Sequence, residues 1–229
     1  MKCAVAIFAK TPGLSPVKTR LAASIGEEKA TEFYELSVAS IEAVMTNLQM
    51  QNEAVTVHWT LAEKDAPELP RWSAFPAIWT GEGGLGERLA NVSEALFMSH
   101  DAVMFLGTDS PQLSVVIILE ALAKFEKNSD RAVCGPAFDG GFFLFVSKDI
   151  VSREIWEAVT YSDATTLEDL ESRLMDRGTE LIRMAPQQDV DTQEDLSTLR
   201  DNLRDRENEL LPAQRKLLEW LNDHFEVAV

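Results

Sequence analysis

The chain has 229 residues, with 38 Asp and Glu against 21 Lys and Arg, for a formal net charge of −17. That balance weighs against non-specific nucleic-acid binding, which needs Lys and Arg to neutralise phosphates, and against an anionic membrane surface. With 45% hydrophobic residues, a chain this long buries about 70% of its unfolded surface and needs no staples to fold. A small phosphorylated ligand is still compatible, because a local basic loop overrides global charge.

Cys3 and Cys134 both sit in apolar runs and read as buried thiols in a reducing cytoplasm. No zinc-type Cys/His spacing occurs. The apolar start of the chain carries one basic residue before it and ends at Lys10, which argues against a secretory signal. Its apolar runs are far shorter than the roughly 20 residues that span a bilayer.

In chain order, Cys3 to Ala9 is a continuous apolar run that predicts a buried parallel strand. The spacing from Glu27 to Leu48 predicts a long helix, and Ala54 to Leu61 alternates as a strand. Glu63 to Pro76, rich in charge and proline, reads as a surface excursion. A short strand at Ala77 to Trp79, a glycine-rich turn and a helix from Glu87 to Ser99 follow. Strands are expected at Ala102 to Leu106, Arg131 to Cys134, Phe142 to Val146 and Leu181 to Met184. Helices are expected at Leu113 to Phe125, Ser152 to Glu157, Thr166 to Arg177, from Thr192 onward, and at Pro212 to Phe225. Alternating strands and helices specify an α/β domain with a mostly parallel sheet covered on both faces. Residues 1–205 form that domain, and 206–229 a helical appendage on it.

In such sheets ligands bind beyond the carboxyl ends of the strands, and four loops there carry unusual residues. The first, Lys10 to Leu21, holds Lys10, Lys18, Thr19 and Arg20; residues 1–20 have four basic residues and no acidic one. Cations gathered against the net charge suit a polyphosphate, although a solvated loop paired with acidic surface is the alternative. It is not a P-loop. The second, Gly81 to Arg88, places Gly84 and Gly86 before a helix, where a ligand can approach bare backbone. Glu87 and Arg88 equally suit a first helical turn. The third, Gly107-Thr108-Asp109-Ser110-Pro111, offers Asp109 as an Mg²⁺ or Mn²⁺ ligand, or else Asp109 or Ser110 as a helix cap. The fourth pairs Asp139-Gly140-Gly141 with Asp189-Val190-Asp191-Thr192; Asp191 is a second metal ligand or the cap of the next helix. His58, His100 and His224 form no catalytic pattern.

These motifs, with Phe8-Ala9-Lys10 and Lys18-Thr19-Arg20-Leu21 first, then Gly84 to Arg88, Gly107 to Pro111, Gly135 to Phe142 and Asp189 to Thr192, occur in one order over residues 1–199. The chain thereby resembles the bacterial DUF2064 family of glycosyltransferase-A-like proteins. The resemblance implies a three-layer αβα GT-A fold, akin to nucleotide-diphospho-sugar transferases and to the molybdopterin and 2-phospholactate guanylyltransferases. Many members have glycine just before the basic residues of the first loop. Here Ser15-Pro16-Val17 stands there, and proline has no N–H to donate.

On this basis a metal-dependent transferase with a nucleotide or nucleotide-sugar donor is expected. Lys10, Lys18, Thr19 and Arg20, with Gly84, Gly86 and Arg88, would bind the nucleotide and its phosphates. Asp109 and Asp191 would hold Mg²⁺ or Mn²⁺. Asp139, Gly140 and Gly141 would meet the sugar or acceptor, with Asp109 and Asp139 as catalytic carboxylates. A guanylyltransferase-like nucleotidyltransferase acting on a nucleoside triphosphate is the alternative, and a non-catalytic nucleotide- or partner-binding module a third. Expected partners are small molecules, with no nucleic acid and no membrane; the last helix is a candidate dimerisation surface, and the location is cytoplasmic.

Overall fold

A computed structural model describes residues 1–128 and 130–225. Its first strand, β1 (Cys3–Ala9), is buried along almost its whole length, as a strand covered on both faces must be. It is followed by α1 (Thr19–Ile25), α2 (Glu27–Gln51), β2 (Val55–Leu61), β3 (Ala77–Trp79), α3 (Leu85–Phe97), β4 (Ala102–Leu106) and α4 (Val115–Lys127). Then come β5 (Ala132–Pro136), β6 (Phe142–Ser147), α5 (Arg153–Ala158), α6 (Thr166–Met175), β7 (Leu181–Arg183), α7 (Gln193–Asp205) and α8 (Pro212–His224). Among the described residues the strands form one sheet in the order β3-β2-β1-β4-β6-β5-β7. All neighbours are parallel except at β6, which runs antiparallel to β4 and β5. The expected α/β architecture with a mostly parallel sheet is the one observed.

The two-residue period of β1 separates two cores. Val5 and Ile7 pack with Ile41 and Val44 of α2 and Ile118 and Phe125 of α4. Ala4 and Ala6 pack with Leu89 of α3, Trp156 of α5 and Leu170 of α6. Helices on both faces complete three layers. Outside them, Leu21, Phe33, Leu199, Leu217 and Leu221 form a third cluster that binds α7 and α8 onto α1 and α2. There the Trp220 ring lies 6.0 Å from that of Phe33, and its Nε1 donates to Glu32 at 2.8 Å. The apolar face of the last helix is thus covered within the chain.

Two expectations are corrected. The segment 63–76 is not simply a surface excursion. It makes two short 3₁₀ turns that bury Trp72, whose ring stands 4.8 Å from that of Trp59. Residues 19–21, read as the end of the first loop, instead open α1 (Thr19–Ile25). Cys3 and Cys134 are both buried and unpaired, and burial raises both thiols, Cys3 to about 12. Among the described residues no helix is long and apolar enough to cross a membrane.

Trp220→Ala removes a ring that anchors α8, and should lower unfolding free energy by about 3 kcal/mol. Urea denaturation followed by tryptophan fluorescence measures this, and an unchanged midpoint would contradict the packing described.

Candidate functional site

The chain leaves β1 for β2 on one side, whereas β4 lies on β1's other side. Loops after β1 and β4 therefore part, opening a crevice at the sheet's carboxyl edge. Because β6 is antiparallel, the turn joining β5 to β6 (137–141) lies at that same edge. The parallel β7 delivers 184–192 there as well: Gln187 N–H donates to Pro136 O at 2.9 Å, and Val190 N–H to Asp109 O at 3.0 Å. Topology alone brings the first, third and fourth loops together.

Lys18 holds them. Its Nζ lies 2.5 Å from Asp109 Oδ1 and 3.2 Å from Asp191 Oδ1, and donates to Val190 O at 2.5 Å. The side chain is only 4% exposed. Burial would depress the ammonium, but the carboxylates of Asp109 and Asp191 overcome it and raise the pKa. Lys18 sits in the left-handed region (φ 45°, ψ 47°) directly before α1, a conformation unfavourable by about 1–2 kcal/mol for a residue with a Cβ. Arg20 Nη1 reaches Asp191 Oδ2 at 3.1 Å. Thr19, exposed, opens α1. Lys10 does not join this group: its side chain is exposed, and its backbone N–H donates to Tyr34 Oη at 2.8 Å.

The capping alternatives for the aspartates do not hold. Ser114, well after Asp109 and Ser110, caps α4 by accepting from Ile117 N–H. Thr192 precedes α7, and Asp195 accepts from the N–H groups of Asp191 and Thr192. The expected metal pair of Asp109 and Asp191 is divided, because the Lys18 ammonium already bridges it. The carboxylates that converge are Asp139, Asp189 and Asp191, with oxygens within 4.8 Å of one another. Burial, then Asp139, pushes the Asp189 carboxyl up to about 6, with smaller effects of Asp191 and Asp109. Asp189, two residues before Asp191 in the same loop, enters the cluster with it.

The glycine-rich turn also differs in detail from expectation. Gly86 is buried, and a Cβ there would lie 2.2 Å from Trp156 O, so this glycine permits close packing of α3 on α5. The Gly84 N–H donates to Glu87 Oε2 at 2.8 Å. Arg88 donates to the carbonyls of Ala62 and Gly83 and to Thr80 Oγ1, tying the turn to the ends of β2 and β3. Gly140, at φ 92°, lies where a Cβ would meet Ala164 O at 2.0 Å, which fits the 137–141 turn against the segment preceding α6.

Between these loops lies a cleft of about 310 Å³. Phe8, Leu85, Leu89, Phe105, Phe142 and Tyr161 give it an apolar wall. Asp109, Asp139, Asp163, Asp189 and Asp191 line the rest, with hydroxyls from Ser110, Ser162 and Thr166. Sequence reasoning missed the contribution of Tyr161 to Thr166. These residues carry no motif; they reach the cleft because α5 packs on α3 and because Leu167 N–H donates to Gly140 O at 2.9 Å.

Residues 42–163 match the family described as "Uncharacterized protein conserved in bacteria (DUF2064)". The chain belongs to the DUF2064 family. No curated protein matches this family member in sequence. Among solved structures, one from Desulfovibrio desulfuricans G20, named as a candidate nucleotide-diphospho-sugar transferase, superposes with a TM-score of 0.81 at 23% identity, over 98% of this chain and 99% of that one. The 4-diphosphocytidyl-2C-methyl-D-erythritol synthase of Anaerococcus prevotii gives 0.55 at 13% identity, over 85% and 94%. The glucosyl-3-phosphoglycerate synthase of Mycobacterium tuberculosis, in complex with Mn²⁺, UDP and phosphoglyceric acid, gives 0.51 at 11%, over 100% and 80%. At these identities the likeness is one of fold, that of the nucleotide-diphospho-sugar transferases.

Lys18→Met leaves Asp109 and Asp191 facing each other without their cation. Since both are partly exposed, the loss should be about 1–3 kcal/mol, below that for a wholly buried pair. The raised Lys18 stays charged below its folded pKa, so urea midpoints should show a constant deficit from pH 6 to 9. Asp189 behaves oppositely. Its folded pKa near 6 exceeds the unfolded value near 3.9, so the native state loses stability as pH rises from 4 through 6. In chelator, Asp189→Asn should flatten that part of the pH–stability curve and be more stable than wild type at pH 7; an unchanged slope would contradict the assignment.

Proposed function

We propose that this DUF2064 protein is a metal-dependent transferase with a nucleotide or nucleotide-sugar donor, favouring the nucleotide sugar. The observation that carries this is the charge balance at the crevice. Lys18 and Arg20 offset two of the four carboxylates of Asp109, Asp139, Asp189 and Asp191, leaving two formal negative charges when all are ionised. The raised Asp189 pKa reflects that excess, after burial. A divalent cation would balance it, and convergent carboxylate oxygens are the donor set that Mg²⁺ and Mn²⁺ take. Asp189 and Asp191 would hold the ion, beside the Asp109 carboxylate that Lys18 keeps in place, with Asp139 next to them and free to act as a base. When bound, the metal would neutralise charge developing on a diphosphate leaving group.

Amides early in the first loop are already engaged within the protein. The N–H groups of Lys10, Thr11, Leu14 and Ser15 already donate within the protein, and Pro12 and Pro16 have none. In glycosyl transfer, the acceptor's nucleophilic atom bonds to the anomeric carbon as the bond from that carbon to the diphosphate oxygen breaks. The electron pair leaves on the nucleoside diphosphate, and Asp139, exposed at the cleft, takes the acceptor's proton. One Asp139 oxygen accepts from Gly141 N–H at 2.8 Å, which fixes the carboxylate.

Calorimetry with UDP-glucose, GDP-mannose and the four nucleoside triphosphates, with and without Mn²⁺, tests this. Binding of a nucleotide sugar should require the metal, and Asp189→Asn with Asp191→Asn should weaken it at least roughly tenfold, about 1.4 kcal/mol. Metal-independent nucleotide binding that is indifferent to these changes would instead favour a non-catalytic binding module.

A further inference from the structure

We propose that the acceptor end of the cleft takes a molecule without anionic groups: an apolar body that presents an alcohol or an ammonium group. Calling that end the acceptor end rests on the transferase function proposed above; the ligand chemistry rests on the lining alone. In a protein built to bind a phosphorylated or carboxylated acceptor, Arg or Lys would face the cavity. Among the described residues that line this cleft there is no Lys, Arg or His. Lys18 and Arg20 do not line it; Lys18 is engaged by Asp109 and Asp191, and Arg20 by Asp191. Arg88 is held by Ala62, Gly83 and Thr80.

What does line it selects for the opposite chemistry. Ionised carboxylates only accept hydrogen bonds, so Asp139 and Asp163, and Asp189 where no metal holds it, call for O–H or N–H donors and repel anions. The Ser110 hydroxyl, in a residue 2% exposed on the cleft lining, has no hydrogen-bond partner. A buried hydroxyl left unpaired is unfavourable, and a ligand hydroxyl or amine can pair with it. Phe142 and Tyr161 face the same space; they suit an apolar body, and aromatic faces also attract an ammonium. A metal ion would not reverse this preference, because the donor diphosphate would use its free coordination positions.

Three probes with one body and different charge decide the matter: benzyl alcohol, benzylamine (an ammonium at pH 7.5) and benzyl phosphate. Each is titrated into the full chain by ligand-observed NMR, once in EDTA and once with saturating Mg²⁺ and UDP. The alcohol and the ammonium should both bind in both conditions, with the ammonium favoured over the phosphate by about tenfold or more. Leu85→Lys, a change at an exposed lining position, should strengthen benzyl phosphate by roughly 2- to 5-fold, weaken the ammonium and leave the alcohol unchanged. Benzyl phosphate binding as well as the other two would overturn the proposal, as would absence of saturable binding by both alcohol and ammonium. If Mg²⁺ and UDP fail to bind, the transferase function falls, while the EDTA arm still decides the ligand chemistry.

Discussion

One buried ammonium organises the carboxyl edge of this protein. Lys18 comes from the loop after β1, Asp109 from the loop after β4, and Val190 and Asp191 from the loop after β7, and one Nζ contacts all of them. An ammonium has three donors, and three acceptors meet it here. The arrangement explains why a lysine occupies a left-handed position that glycine or asparagine would adopt more easily. The backbone cost is offset because that conformation turns the side chain inward to two carboxylates that would otherwise repel each other.

The position of that lysine determines the electrostatics of everything in front of it. In a chain of net charge −17, early cations first suggest a phosphate cradle. The fold uses two of them internally, and so governs how far the aspartates can approach. The result is a graded site: Asp109 and Asp191 are matched by cations, Asp189 is forced upward by burial and its neighbours, and Asp139 stands at the open side. Under the proposed function, a metal would balance the excess charge and hold a diphosphate, and the apolar wall beside it would take a donor-bearing acceptor without anionic groups. That is a chemical division of labour within a single cleft.

Glycines of the site serve packing as much as ligand approach. Gly86 lets α3 meet α5, which carries the Tyr161–Thr166 segment to the cleft; Gly140 lets the 137–141 turn nest against Ala164. Both shape the cavity from outside it. Motif glycines beside a site therefore divide into those that touch ligand and those that bring walls together, and close backbone approach suits both uses.

Much of the fold was legible in the chain. Continuous apolar runs such as Cys3 to Ala9 mark buried parallel strands, and the three- and four-residue spacing of α2 marks its buried face, because side-chain periodicity is a local property of backbone geometry. Post-strand loops bearing Lys18, Asp109, Asp139 and Asp191 were likewise identifiable, since α/β topology fixes which edge binds. Tertiary structure alone decided that Lys10 stays apart, that Lys18 bridges Asp109 and Asp191, that Asp189 joins the acidic cluster, and that Tyr161 to Thr166 form a wall. Those outcomes depend on distances between residues far apart in sequence, and on the balance of burial against charge at each one. No local pattern encodes them, because a carboxylate's partner is set by what the packed helices bring within a few ångströms.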